Sequence, residues 1–280
     1  MYKAIKQIVH APPVTMGNIQ LRQALPAADV EQVSPFILLH HFDFMAEPGQ
    51  NIFDVAPHPH RGFMPVTFMF DGSVEHEDSL GNAQVIGPNE VQWINAARGI
   101  IHSEKMGKQF LQTGGRFQGV QLWINLPKAD KMKTPFYQPL TTKDIVLIEE
   151  PGIELRIISG NYKQHKGPAK SGVFTATMLM EKGSTYTLSF PPAENTLLYV
   201  LEGVIKVNND KPVTQHDLAI FDNNAEEIFI SASANASVIV LSGQPINEPL
   251  VTQGPFVMNT QTEILEAMRD YQMGKMGFLY

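Results

Sequence analysis

Short runs of alternating apolar and polar residues fill this chain, and Gly and Pro interrupt them every few positions. The runs are rich in Val, Ile, Phe, Thr and Tyr, side chains that suit a pleated, half-buried surface. The pattern therefore predicts many short strands in a sandwich or barrel, an all-β fold class. Strands are expected at 65–71, 90–95, 119–125, 144–149, 154–158, 197–202, 217–221 and 237–242. Only the C-terminal end reads as a helix, where Ile264, Leu265, Met268 and Tyr271 recur at helical spacing behind the capping candidates Thr260 and Thr262. This helix is expected to dock onto a barrel.

The strand pattern repeats. Val66-Thr67-Phe68-Met69-Phe70-Asp71-Gly72 and Leu197-Leu198-Tyr199-Val200-Leu201-Glu202-Gly203 both read as an apolar strand, an acid and a turn glycine. A second pair, 90–94 and 217–221, follows at a similar separation, which predicts a duplicated barrel. The lysines and prolines between about 127 and 142 read as the connection, dividing the chain into 1–130 and 131–280, with the helix closing the second domain.

Composition narrows the chemistry. With 43% apolar and 18% charged residues the chain can bury a core, and its formal net charge of −7 argues against a direct grip on nucleic acid. There is no cysteine, so disulfides, thiolate metal sites and cysteine nucleophiles are excluded. The first ten residues lack the apolar run of a signal peptide, and no segment approaches the roughly 20 apolar residues of a membrane helix. A cytoplasmic location without membrane partners is the expectation.

Metal ligands can then come only from His, Asp and Glu. In Ala56-Pro57-His58-Pro59-His60-Arg61-Gly62 two imidazoles stand two residues apart, so on a strand they share one face, about 6.5–7 Å apart along it. His102-Ser103-Glu104 repeats the arrangement with a carboxylate. On neighbouring strands, about 4.8 Å apart, His58, His60, His102 and Glu104 would converge on one divalent metal ion. Three nitrogens and one oxygen leave room for water or substrate on such an ion. Pro59 cannot donate to a ladder, which puts the segment at an edge, a strand start or a bulge.

These residues also carry a resemblance. His58-Pro59-His60-Arg61-Gly62-Phe63, Gly72, His76-Glu77-Asp78-Ser79 with Gly81, Gln92-Trp93, and Gly99-Ile100 before His102-Ser103-Glu104 together resemble the signature of the pirins, a bicupin family. Gly119, Gln121-Leu122-Trp123 and Asn125-Leu126-Pro127 resemble its next segment. The close likeness spans about 34–127. Beyond that it lies in the strand pattern and in the closing segment 255–260 with its helix. The resemblance implies two cupin-type β-barrels, with one metal per chain, most often Fe(II), in the first. That metal would be held by the residues matching His58, His60, His102 and Glu104. Mn, Ni, Cu or Zn suit the same donors. Met64-Pro65 and Ala97 depart from the family pattern; the first alters what lines the site and so bears on substrate preference.

Aligned on the turn glycines, His58, His60, His102 and Glu104 correspond in the second half to Ser189, Pro191, Phe229 and Ser231, none of them a strong ligand. The C-terminal barrel is expected to carry no metal. Other polar residues are candidates of lower rank. His76 and Asp78 share a strand face and could orient a ligand or belong to a polar turn. Adjacent His40 and His41 must point to opposite faces. Arg61 and Arg98 could meet an anionic or phenolic substrate, and Phe44, Phe53, Phe63 and Phe70 could wall a flat pocket or fill a core.

The activity that the resemblance implies is a dioxygenase cleaving a flavonol such as quercetin at the 2,3 position, with dioxygen as co-substrate and Glu104 as both ligand and general base. It also allows a metal- or redox-dependent regulatory protein that binds a transcription factor or a metabolic enzyme. A zinc-dependent sugar isomerase would fit the ligands but not the signature.

Overall fold

The computed structural model describes residues 1–208 and 211–279. Its regular structure is almost wholly strand, and two barrels share one strand order. In the N-terminal barrel a seven-stranded sheet runs Phe136–Leu140, Val91–Asn95, Phe63–Asp71, Gly115–Asn125, Phe36–Ala46, Ile19–Leu25, Pro13–Met16. Its four-stranded sheet runs Asp54–His60, Ile100–Met106, Val74–Asp78, Ala83–Ile86. The other barrel repeats both, as Ile5–His10, Asp217–Phe221, Asn195–Glu202, Ala236–Gly243, Phe174–Met180, Ile153–Ser159, Val146–Glu150 and as Thr185–Ser189, Glu227–Ala232, Val204–Val207, Lys211–Thr214. The two repeat pairs read from sequence occupy the same places in their sheets: third from the edge for Phe63–Asp71 and Asn195–Glu202, second for Val91–Asn95 and Asp217–Phe221.

The compact units interleave along the chain. One contains Met1–Pro12, Arg22–Ser34 and Thr142–Pro245; the other contains Pro13–Leu21, Pro35–Thr141 and Ile246–Tyr280. A single cut at 130/131 does not describe this. The segment expected to be a mere connection supplies Phe136–Leu140, an edge strand paired with Val91–Asn95 in the N-terminal barrel. The C-terminal helix, Gln261–Gln272, also belongs to the unit that carries His58 and His102. Hydrophobic contacts explain why: Ile264 and Ala267 are buried with Ile101, Phe256, Met258 and Met276. The helix starts in a capping box, in which the Glu263 N–H donates to Thr260 Oγ1 and the Thr260 N–H donates to the Glu263 carboxylate. Leu265 and Tyr271, expected on the apolar face, point outward instead, since Ile264 and Ala267 set the buried stripe. A second, six-residue helix, Lys108–Thr113, had no clear sequence signal.

The interiors differ. In the C-terminal barrel Tyr186, Leu188, Phe190, Ile228 and Ile230 project inward and join an apolar core with side chains of the larger sheet. Ser189 and Pro191 are exposed, and Phe229 and Ser231 lie on the outer, half-buried positions. The sequence alignment of the halves is thus one residue out here, and a one-residue slip on a strand exchanges the faces. Along the equivalent strand of the N-terminal barrel the inward residues are Ile100, His102, Glu104 and Met106, apolar at the ends and polar between.

Candidate metal centre

Asp54–His60 is the edge strand of its sheet, so Pro59 leaves no inner ladder bond unmade. It pairs antiparallel with Ile100–Met106, with His58 directly opposite His102. The His58 Nδ1–H donates to the Ala56 carbonyl at 2.9 Å, which fixes the tautomer and frees Nε2 as a lone-pair donor. That Nε2 lies 3.1 Å from His60 Nε2. The His102 ring sits 4.3 Å from that of His58 and 4.9 Å from that of His60, centroid to centroid. His102 is fully buried and neither of its ring nitrogens has a hydrogen-bond partner among the described residues.

Burial holds the pKa of His60 well below the usual imidazole value, and the neighbouring His58 adds to this against a small opposing effect of the Pro255 carbonyl. Burial does the same to His102, reinforced by His60, His58 and His76. Neutral imidazole is the form that binds metal. Ligand-capable atoms of His58, His60 and His102 all lie within 4.8 Å of one another. The orphaned ring nitrogens of buried His102, clustered with His60 and with the half-buried His58, fit a divalent cation, which would give those lone pairs a partner.

Glu104 does not join that group as closely. It falls in a second one, with His76 and His102. The pairing with Asp54–His60 shifts between His102 and Glu104, so Glu104 lies opposite Val55 rather than continuing the register of the histidines. Its oxygens are also engaged: the Gln92 side-chain amide donates to Oε1, and Gln121 Nε2 approaches Oε2 at 3.5 Å. Gln121 is oriented in turn by Trp123, whose indole N–H donates to its amide oxygen at 3.1 Å.

Strand register extends this polar surface. Thr67 pairs with both Gln92 and Gln121, and Gln121 pairs with His40, so four adjacent strands present Gln92, Thr67, Gln121 and His40 on the face toward Glu104. His40 is the member of its pair that faces the site. His41 points away and takes a hydrogen bond from Gln118.

His76 and Asp78 are part of a polar turn and also lie beside the candidate ligands. His76 Nε2 meets Asp78 Oδ2 at 3.1 Å, fully buried beside Glu104, and Asp78 Oδ1 also accepts the N–H groups of Leu80 and Asn82, closing the turn. Burial opposes the Asp78 charge, but hydrogen bonds from His76 and Asn82 outweigh it and hold the carboxyl below its usual range. Tyr137 stacks on His76 with ring centroids 4.3 Å apart and planes 8° from parallel. Its hydroxyl is buried without a partner among the described residues, and burial, with the charges of Glu104, Asp78 and Glu90, pushes its pKa up. Sequence reasoning missed Tyr137 because it stands in the supposed connection.

Arg61 does not greet a substrate. It is buried, with Nε donating to the Arg98 carbonyl at 2.6 Å and Nη1 to Asp270 Oδ2 at 3.0 Å, tying the helix to the residue next to His60. Lys131, also buried, donates to the Gly62 carbonyl, Asn125 Oδ1 and the Val257 carbonyl; burial brings its pKa down to about 8. Phe63 lies edge-on to His60 and 4.2 Å from Trp123, centroid to centroid, a flat apolar wall beside the imidazoles. Phe53 and Phe44 instead pack with Phe117 in the apolar core.

Comparison with known proteins agrees with this architecture. The pirin family model matches residues 18–124, and the model of the pirin C-terminal cupin domain matches residues 175–277. A Pseudomonas aeruginosa protein is 39% identical over 252 residues, 88% of this chain and 87% of its own. A crystal structure of quercetin 2,3-dioxygenase from Acinetobacter baumannii superposes with a TM-score of 0.93 at 35% identity, covering 100% of both chains. A bacterial pirin from Escherichia coli, solved in complex with nickel(II), shares the fold at a TM-score of 0.69 and 20% identity, over 86% of this chain and 99% of that one. With both barrels matched in order and relatives aligned over most of its length, the chain belongs to the pirin family, built as a bicupin.

Proposed function

We propose that this protein is a metal-dependent dioxygenase that cleaves a flavonol such as quercetin at the 2,3 position. The observation that carries this reading is the convergence of half-buried His58 with the buried His60 and His102, their ligand-capable atoms within 4.8 Å of one another, with Glu104 beside His102. Likeness along the full chain to a solved quercetin 2,3-dioxygenase supports the substrate class. His58, His60, His102 and Glu104 would hold one divalent ion. Fe(II) is our first choice, and the nickel(II) complex of a pirin of the same fold is in keeping with the donor set.

The metal would supply Lewis acidity, making a hydroxyl on it acidic at neutral pH. The protein does the rest. His58, His60 and His102 hold ligand-capable nitrogens close together, and burial keeps His60 and His102 neutral. Glu104 accepts the proton of the flavonol 3-hydroxyl, leaving the ring electron-rich toward dioxygen. Trp123, backed by the fully buried Phe63, offers a flat apolar surface to the rings of the substrate, and the buried setting excludes water. For Glu104 to act as a base, a lone pair of its carboxylate beyond those used by the Gln92 amide and the metal must meet the substrate hydroxyl.

The test is the metal-loaded protein mixed with quercetin under air. The flavonol absorbance should fall with turnover, and Glu104→Gln should slow it by about 10²–10⁴-fold, the usual worth of a general base. No loss of absorbance with iron, manganese, nickel or copper would contradict the assignment.

A further inference from the structure

Gln92 stands on the strand Val91–Asn95 between Val91 and Trp93, and all three are buried. A glutamine costs free energy in such a place unless both ends of its amide are bonded. Only one end is: the N–H donates to Glu104 Oε1, while the amide oxygen has no partner among the described residues. Its orientation follows from chemistry, because an ionised carboxylate only accepts and the nitrogen must face it. An apolar side chain of the same length would fill the space without the unmet oxygen. The amide is therefore explained by what it does to Glu104 and not by what it adds to the fold.

We propose that Gln92 is a positioning residue for the metal centre, holding Oε1 of Glu104 so that Oε2 is the oxygen left for the metal. The two oxygens are not equivalent. Oε1 is tied to a residue fixed in the sheet, whereas the approach of Gln121 to Oε2, at 3.5 Å, is at the limit of a hydrogen bond and yields to a stronger partner. This division rests on the reading of Glu104 as a ligand. It predicts a carboxylate bound through one oxygen, with Gln92 acting only through Glu104.

A double-mutant cycle on the whole protein tests this, with Co(II) as the probe because its visible spectrum reports the ligand set. Gln92→Met should weaken Co(II) binding about 10–100-fold, the usual worth of a residue supporting a ligand, and alter the visible bands. In the Glu104→Ala background the same substitution should change the affinity by less than about twofold, because nothing remains for Gln92 to position. Wild-type affinity in Gln92→Met, or equal weakening in both backgrounds, would overturn the proposal. If Gln92→Met does not fold, Gln92→Asn, which draws the amide back by one methylene, makes the same comparison with the same expected weakening. Glu104→Ala alone separates the two claims: unchanged Co(II) affinity there removes Glu104 from the ligand set and with it the role of Gln92. A loss there with additive effects overturns Gln92 alone.

Discussion

His58 and His60 bring their Nε2 atoms within 3.1 Å of each other from positions two apart on one strand. That separation suits two nitrogens sharing one ion at about 2.1 Å each, subtending roughly a right angle there. The bond from His58 Nδ1–H to the Ala56 carbonyl sets one ring, and packing against Phe63 and Trp123 sets the other. The residues that follow, Arg61 and Gly62, are anchored by groups far away in sequence, so the pair depends on distant parts of the chain.

Gly62 shows that dependence most sharply. Its φ is +90°, and a Cβ there would lie 1.9 Å from the Val257 carbonyl oxygen and 2.9 Å from Met258 Sδ. A backbone atom cannot give way as a flexible side chain does. Gly62→Ala should cost about 3 kcal/mol or more in urea unfolding and reduce the bound metal. Gly81→Ala, at φ +88° but with open space around it, should cost only about 1 kcal/mol and keep the metal. Equal costs at the two positions would contradict the packing described for Gly62.

Tyr137 separates packing from polarity. Removing its partnerless hydroxyl in Tyr137→Phe should leave the thermal midpoint of the metal-free protein unchanged or raised, since no hydrogen bond is lost. Tyr137→Ala removes the stacked ring as well and should cost about 3 kcal/mol or more. A clear drop in Tyr137→Phe would mean that the hydroxyl is bonded in solution.

Acid should weaken the fold through His40. Burial lowers its pKa from the ordinary 6.5 to about 4. Above pH 6.5 both folded and unfolded chains hold it neutral. Between about 6.5 and 4 the unfolded chain takes up the proton first, so stability falls as pH falls, by up to about 3 kcal/mol by pH 4. Replacing the ring by an uncharged one-for-one substitute, His40→Gln, should flatten the slope of urea midpoint against pH across that window. An identical slope in the variant would show that other groups carry it.

Much of this was legible in the sequence because strand periodicity is local. A two-residue spacing put His58 and His60 on one face, and the repeat of an apolar strand, acid and glycine gave the two barrels. What escaped was set by long-range pairing. The register shift after His102 and the hold of Gln92 place Glu104 nearer His76 than spacing alone implies. Asp270 reaches back to Arg61 and Lys131 to Gly62 across 209 and 69 residues. Tyr137 enters on an edge strand whose proline-rich flanks read as a linker. In the second barrel a slip of one residue exchanged inner and outer faces, so Tyr186, Leu188, Ile228 and Ile230 fill the interior where Ser189 and Phe229 were expected.

Metal content tests the central claim most directly. The full chain, loaded with Fe(II) or Ni(II), desalted and measured by elemental analysis, should hold one ion per chain; His58→Ala and His102→Ala should each lose most of it while remaining folded. Two ions per chain, or one ion retained in either variant, would contradict the account.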